Sequence, residues 1–207
     1  MESADPGGSG SFGDIAAVLL TGGASTRMGR DKAHIEFDGE PAAVRLAKML
    51  VGFFGEVLVV GGDPPAAAPG RRVSDGEGPQ SALRGLVSGL GAATRDRVLV
   101  VATDLPFLTA DLVLALVACP EADAVVPRVD GRLHPLCALY RREPVLAAAR
   151  ARLEAGQLAL HGLLDAVDTR VLSEEAIRQV DPEGMALVNV NTPEELARAV
   201  AGQRGEP

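Results

Sequence analysis

Residues 20–32 combine glycines with cations directly after an apolar run. Gly22 and Gly23 permit positive φ angles and close backbone approach, and the exposed N–H groups of such a loop form a concave site for anions. Arg27 and Lys32 add positive charge to the same loop. These residue types indicate phosphate binding, although an ordinary strand-to-helix turn with solvated cations has the same composition.

Two familiar phosphate-binding motifs do not match this loop. A Walker A loop spaces its glycines as GxxxxG and places a lysine directly after the second one. Here five residues separate Gly23 from Gly29, and the next lysine is Lys32. The dinucleotide motif GxGxxG is also missing, because Gly22 and Gly23 are adjacent. The sequence therefore predicts a phosphate loop of a different type.

Oxygen-donor side chains follow two other apolar runs. Asp104 comes shortly after residues 98–101, where a carboxylate suits Mg²⁺ that bridges nucleotide phosphates; a cap of the following turn is the alternative. Asn189 and Asn191 end a predicted strand at 186–190, and a period of two places both side chains on one side. A turn with an N-cap accounts for Asn191 equally well. These residues are candidate metal or phosphate ligands.

A polar turn in the second half contains Arg132 and His134, which could meet an anionic acceptor. A structural histidine is the more common role for a single residue of this type. His34 and His161 share no metal-ligand spacing with His134, so the sequence does not predict a zinc site.

Apolar runs and helical spacing alternate along the chain and predict the elements that position these residues. The predicted strands are 15–20, 57–60, 72–74, 98–101, 124–127, 136–140, 168–172 and 186–190. The predicted helices are 41–51, 80–93, 109–118, 143–153, 158–166 and a last one that begins at the N-cap Thr192, with Glu195 three residues later. This pattern predicts a single α/β domain, a Rossmann-like three-layer sandwich with a mostly parallel central sheet and a mixed C-terminal part. The glycine loop and Asp104 would then share the edge where such sheets bind ligands.

Composition limits the class of protein. The 207 residues suit one domain, which we expect at 14–202, with a disordered leader at 1–13 and a tail at 203–207. A formal charge of −8 argues against a nucleic-acid-binding surface, and two cysteines are too few for a disulfide framework. We find no signal sequence and no apolar run near the roughly 20 residues that span a bilayer. We therefore expect a cytoplasmic protein that binds neither nucleic acid nor membranes.

In their order and context, these motifs resemble the molybdenum cofactor guanylyltransferases of the nucleotidyltransferase superfamily. The resemblance spans about residues 15–197 and is carried by LTGG at 20–23, RMG at 27–29, DKA at 31–33, GEP at 39–41, DLPFL at 104–108, HPLCALY at 134–140 and NVNTPEEL at 189–196. The first and last motifs occur across the superfamily and indicate the type of reaction. The double glycine, the His134 element and the NVNT variant point to this family.

The resemblance implies that GTP and a molybdopterin-type cofactor react, with Mg²⁺, to give a guanine dinucleotide and pyrophosphate. It implies that nucleotide is bound by Leu20, Thr21, Gly22, Gly23, Lys32, Asp75 and Asp104. Within that set Lys32 would contact the phosphates and Asp104 the metal, while Arg27 would face the leaving phosphates. Asn191 would be a second metal ligand, with Asn189 close by. Arg132, His134 and Asn189 are candidate pterin contacts, and transient contact with cofactor-handling proteins is expected.

The chain departs from the family pattern at three places, the first of which is the segment before Lys32, one residue shorter than in some members. Gly61 and Gly62 stand where family members commonly have an asparagine, and the compact GPLAG element is extended at residues 79–84, which leaves Arg84 without an assigned role. Three alternatives stay open: a cytidylyltransferase on the same pterin, a guanylyltransferase on another phosphorylated acceptor, and a non-catalytic nucleotide or pterin carrier. Gly22 favours GTP, because cytidine-using relatives tend to carry alanine there. The presence of both Lys32 and Asp104 favours an enzyme.

Overall fold

The computed structural model of the protein describes residues 12–22, 35–37, 39–76 and 80–203. Gly23, Arg27 and Lys32 of the predicted phosphate loop lie outside the described residues, as do residues 1–11 of the predicted leader and most of the predicted tail.

Ten strands and seven helices are present in these ranges. The strands are β1 (Phe12–Leu20), β2 (Glu36–Phe37), β3 (Glu40–Pro41), β4 (Phe54–Val60), β5 (Arg71–Val73), β6 (Arg97–Ala102), β7 (Ala124–Val129), β8 (Arg132–Leu133), β9 (Cys137–Arg141) and β10 (Thr169–Leu172). The helices are α1 (Ala42–Phe53), α2 (Ala82–Ala92), α3 (Ala110–Ala118), α4 (Arg142–Glu154), α5 (Leu160–Leu164), α6 (Glu174–Val180) and α7 (Pro193–Gln203). Within the described ranges, none of these helices has both the length and the apolarity needed to cross a membrane.

The main sheet has the strand order β10-β7-β9-β6-β1-β4-β5, and β8 pairs with the C-terminal end of β7. β1 runs parallel to β4 and β6, whereas β9 runs antiparallel to both of its neighbours, β6 and β7. The predicted mostly parallel sheet with a mixed C-terminal part is therefore confirmed. A hairpin turn joins β7 to β8, with φ of 50° at Asp130 and 73° at Gly131.

Both faces of the sheet are covered, which explains why the central strands are continuously apolar. Successive residues of β1 alternate between two buried clusters: Leu19 packs with α1, α3 and α6, whereas Val18 and Leu20 pack with α2, α4 and α5. A Cβ atom on Gly89 of α2 would lie 2.7 Å from a Val18 methyl group, so the glycine lets this helix approach the sheet closely. The three-layer arrangement predicted from the sequence is confirmed.

The predicted strand at 186–190 is wrong, and its residues form turns instead. The Val188 N–H donates to the Met185 carbonyl at 3.0 Å, and the Val190 N–H donates to the Asp104 carbonyl at 2.7 Å. Ala186 and Val190 are nevertheless buried, so the apolar run reflects burial of an irregular segment rather than pairing in a sheet. Helix α6 was not predicted from the sequence; its N-cap Ser173 accepts a hydrogen bond from the Ala176 N–H.

Candidate active site

Two buried threonines join the ends of three parallel strands. The Thr21 N–H donates to the Val60 carbonyl at 3.0 Å, and its hydroxyl donates to the same carbonyl at 3.1 Å and to that of Gly61. The N–H and hydroxyl of Thr103 donate to the Leu20 carbonyl at 3.1 and 3.3 Å. These bonds fix where the chain leaves β1, β4 and β6. Thr103 was not predicted to belong to the site, although it is a polar residue directly after an apolar strand.

Glycines allow the loops after β1 and β4 to approach each other. A Cβ atom on Gly22 would lie 3.1 Å from the Gly62 nitrogen, and one on Gly62 would lie 2.8 Å from the Thr21 carbonyl oxygen. Gly61 and Gly62 also have φ angles of 70° and 60°, which favour glycine over other residues. Gly22 and Gly62 thus let the loop after β1 pack closely against the loop after β4.

The Asp75 carboxylate lies beside this pair of loops. A Cβ atom on Gly22 or Gly61 would lie 3.5 or 3.2 Å from Asp75 Oδ2, and one on Gly85 would lie 3.4 Å from Oδ1. The Arg84 guanidinium nitrogen Nη2 is 3.7 Å from Oδ2. The fold thus gives Arg84, which has no role in the sequence pattern, a position next to the predicted nucleotide-binding carboxylate.

Asp104 follows β6 at the same edge of the sheet, where the Asn189 side chain lies beside it. The Asn189 amide nitrogen lies 3.5 Å from Asp104 Oδ2, while the backbone carbonyl of Asp104 accepts the hydrogen bond from Val190 described above. A turn, rather than strand pairing, therefore brings Asn189 to Asp104.

The Asn191 side chain reaches a different carboxylate. Its backbone N–H and its amide donate to Glu195 Oε2 at 2.7 and 3.2 Å, and the Thr192 hydroxyl accepts from the Glu195 N–H at 3.1 Å. The hydrogen bond from the Asn191 backbone lowers the pKa of the Glu195 carboxyl. Thr192 and Glu195 thus form the predicted start of α7, which accounts for Asn191 as part of a cap.

The turn that contains His134 is attached to three strands beside Asp104. The His134 N–H donates to the Pro127 carbonyl at 3.0 Å, and the Leu136 carbonyl accepts from the Ala102 N–H at 2.9 Å. The hydroxyl of buried Tyr140 donates to the Pro135 carbonyl at 2.7 Å. These bonds hold the turn at the end of β6.

Burial and neighbouring charges shift the pKa of two side chains at this turn. Burial, and then the positive charge of Arg132, lowers the pKa of His134, so the imidazole is neutral at pH 7. Burial, and then the negative charge of Asp104, raises the pKa of the Cys137 thiol to about 12. Cys137 is completely buried and is a neutral thiol at physiological pH.

The donors at this edge are compatible with Mg²⁺. Mg²⁺ commonly keeps several waters and takes one or two carboxylates together with substrate phosphates. Asp104 supplies one carboxylate, with the Asn189 side chain beside it. Within the described ranges no cluster of three or more His, Cys, Asp or Glu side chains could hold a metal by itself. The residues present therefore fit a cation that phosphate groups help to bind.

Comparison with known proteins identifies the family. Residues 17–171 match the model of the MobA-like NTP transferase domain. The chain belongs to this family. It is therefore a nucleotidyltransferase, and the expected enzyme class is confirmed.

Relatives in this nucleotidyltransferase family resemble almost the whole chain. A molybdenum cofactor guanylyltransferase of Cereibacter sphaeroides is 33% identical over 193 residues, which cover 89% of this chain and 95% of the relative. A protein of Chloroflexus aggregans named "Probable molybdenum cofactor guanylyltransferase" is 34% identical, with 88% of this chain and 91% of the relative covered.

A solved structure shares the fold of this nucleotidyltransferase. The molybdopterin-guanine dinucleotide biosynthesis protein A of Archaeoglobus fulgidus superposes with a TM-score of 0.76 at 21% identity, covering 91% of this chain and 99% of that one. The layered α/β architecture is thus common to both proteins.

Proposed function

We propose that this nucleotidyltransferase transfers GMP from GTP to the terminal phosphate of molybdopterin, giving the guanine dinucleotide form of the cofactor and pyrophosphate. The names of its relatives support this choice of substrates. The observation that carries it is a convergence at one edge of the sheet. Gly22 and Asp75 meet beside β1, and Asp104 meets Asn189 at the end of the neighbouring strand β6.

The reaction forms one phosphorus–oxygen bond and breaks another. A terminal phosphate oxygen of molybdopterin attacks the α-phosphorus of GTP in line with the bond to the β-phosphate, and that bond breaks to release pyrophosphate. The attacking oxygen is already anionic, so no general base is required. The work of the protein is to position the two phosphates and to neutralise their charge.

The residues divide this work by their chemistry. Asp104, with Asn189 beside it, would hold Mg²⁺, which supplies positive charge to the triphosphate. Lys32 is proposed to bind the α-phosphate and Arg27 the departing pyrophosphate. The neutral His134 imidazole and the Arg132 guanidinium are proposed to face the phosphorylated acceptor, because their turn adjoins the end of β6.

Close packing at Gly22 supports guanine as the base. An alanine at this position, which cytidine-using relatives tend to carry, would place its methyl group 3.1 Å from the Gly62 nitrogen. That distance is shorter than ordinary van der Waals contact. The loops of this chain are therefore packed for glycine, the residue that we associate with GTP.

The test is release of pyrophosphate, measured with GTP, CTP and ATP in turn, with and without molybdopterin. We expect release with GTP only when molybdopterin and Mg²⁺ are both present, and a guanine dinucleotide product by mass spectrometry. Release with CTP in place of GTP would replace the proposal by a cytidylyltransferase. Release from GTP with another phosphorylated acceptor, but not with molybdopterin, would contradict the proposed acceptor. Nucleotide binding without release under every condition would indicate a carrier.

A further inference from the structure

Arg84 is a cation in a position that disfavours positive charge. It is the third residue of α2, and its N–H donates to the side chain of the N-cap Ser81 at 3.2 Å. Backbone N–H groups make this end of a helix positive. The Arg84 side chain is also only 8% exposed, so it has given up most of its hydration. A negatively charged partner must offset both the repulsion from the positive end of the helix and the lost hydration of the guanidinium group.

Asp75 is that partner. Its Oδ2 atom lies 3.7 Å from Arg84 Nη2, and its side chain is 16% exposed. Its other oxygen, Oδ1, is buried and accepts no hydrogen bond from the residues that the structure describes. Arg84 therefore compensates the charge of this carboxylate, because removing one member of a buried ion pair leaves the other uncompensated.

The pair lies beside the loops that the proposed function assigns to the nucleotide. Positions for a Cβ atom on Gly22 and Gly61 lie 3.5 and 3.2 Å from Asp75 Oδ2. The carboxylate thus lies where a side chain at either position would extend, so a displacement of it would change the space beside the backbone after β1 and β4. Gly85, next to Arg84, lets α2 approach the same carboxylate, since its Cβ position is 3.4 Å from Oδ1.

We propose that Arg84 is a positioning residue for nucleotide recognition, which holds the Asp75 carboxylate in place against Gly22 and Gly61. This inference rests on the proposed function, in which Asp75 lines the nucleotide site. Arg84 acts through Asp75 and touches no substrate itself. The extension at residues 79–84 that sets this chain apart from the family pattern thus supplies a residue of the site.

The first measurements are the KM for the nucleotide in pyrophosphate release and its Kd by calorimetry without acceptor. We expect R84M to raise both constants about 10- to 100-fold, as for other residues that orient a ligand-binding group, with kcat changed by less than about 3-fold. R84K, which keeps the charge, should lie between wild type and R84M. Arg150, an exposed arginine of α4, gives the matched control R150M, which should behave as wild type.

A double-mutant cycle separates positioning from a general structural effect. If Arg84 acts only through Asp75, then D75N and D75N/R84M should have the same Kd, because nothing remains for Arg84 to hold. An R84M effect of the same size in both backgrounds would overturn the proposal, as would a folded R84M with wild-type constants. Should R84M fail to fold by circular dichroism, the comparison of D75N with D75N/R84M still decides.

The same experiment distinguishes the two proposals. If wild type binds and uses CTP instead of GTP, the proposed function fails, and the Arg84 comparison is made with CTP. If wild type releases no pyrophosphate, the calorimetric Kd values still test Arg84. If wild type binds no nucleotide at all, both proposals are overturned.

Discussion

Asp181 offers a direct test of how the segment behind the candidate site is held in place. Its carboxylate is buried, with the residue 6% exposed, and accepts hydrogen bonds from the N–H groups of Met185 and Ala186 at 3.2 and 2.8 Å. These bonds organise the turn that leads to Asn189. We expect D181A to destabilise the protein and to disturb the contact between Asn189 and Asp104.

The size of the effect follows from the two bonds. A hydrogen bond to a charged group contributes about 1.5–3 kcal/mol. The longer bond to Met185 places its contribution at the low end, so the loss of both should cost about 3–4 kcal/mol. Since small domains have only about 5–15 kcal/mol of stability, this is a large fraction. D181N keeps one acceptor oxygen and should lose about half as much.

Urea unfolding followed by circular dichroism gives the free energy of unfolding for each variant. Asp165, an exposed aspartate after α5, provides the control D165A, which should stay within about 0.5 kcal/mol of wild type. Below the unfolding transition, kcat/KM of D181A should fall by up to about 100-fold, because misplacement by about 1 Å has such an effect. A D181A variant that is within about 1 kcal/mol of wild type would refute this account of the turn.

Three further outcomes follow from the structure. D104A should lower Mg²⁺-dependent pyrophosphate release by about 100- to 1,000-fold. The fold should stay intact by circular dichroism, because the hydrogen bond from Val190 goes to the backbone carbonyl of residue 104, which the variant keeps. Near-normal activity would contradict the proposed role of Asp104 as a metal ligand. Y140F removes the donor to the Pro135 carbonyl and should lower the free energy of urea unfolding by about 1–2 kcal/mol, whereas an unchanged value would show that water replaces the bond. The Cys137 thiol has its pKa raised by burial to about 12, so the unfolded chain, with a thiol pKa of about 8.5, releases its proton first as pH rises. The free energy of unfolding should therefore fall by up to about 1.4 kcal/mol per pH unit above that value, and comparison of wild type with C137A at pH 8 and 10 measures the part due to this residue.

Much of the fold could be predicted because burial on both faces leaves a simple pattern in the sequence. The strand that contains Val18 and the one that ends shortly before Asp104 are continuous apolar runs, and Thr109 accepts a capping hydrogen bond from the Leu112 N–H at the start of a predicted helix. For the same reason, the apolar run at 186–190 was wrongly predicted to be a strand. Apolar residues report burial, and burial occurs in turns as well as strands when a side chain such as Asp181 satisfies the backbone.

The candidate site was predicted less completely than the strands that carry it. Asp104 could be assigned to the edge of the sheet because it closely follows a strand, and the position of Gly22 follows from β1 in the same way. The sequence alone could not distinguish the roles of Asn189 and Asn191, since both residues precede the last helix. Only the turn shows that one amide approaches Asp104 and the other joins the cap with Glu195.

The sequence by itself determined the layered α/β architecture, the glycine loop after the first strand and the carboxylate after β6, because these depend on neighbours in the chain. Tertiary structure alone decided which distant groups meet. Arg84 and Asp75 pair across the start of α2 and the end of β5, and Thr103 bonds to Leu20, because the strand order places their elements side by side. A linear pattern carries no record of such contacts, since their energy depends on distances between elements that only the folded chain fixes.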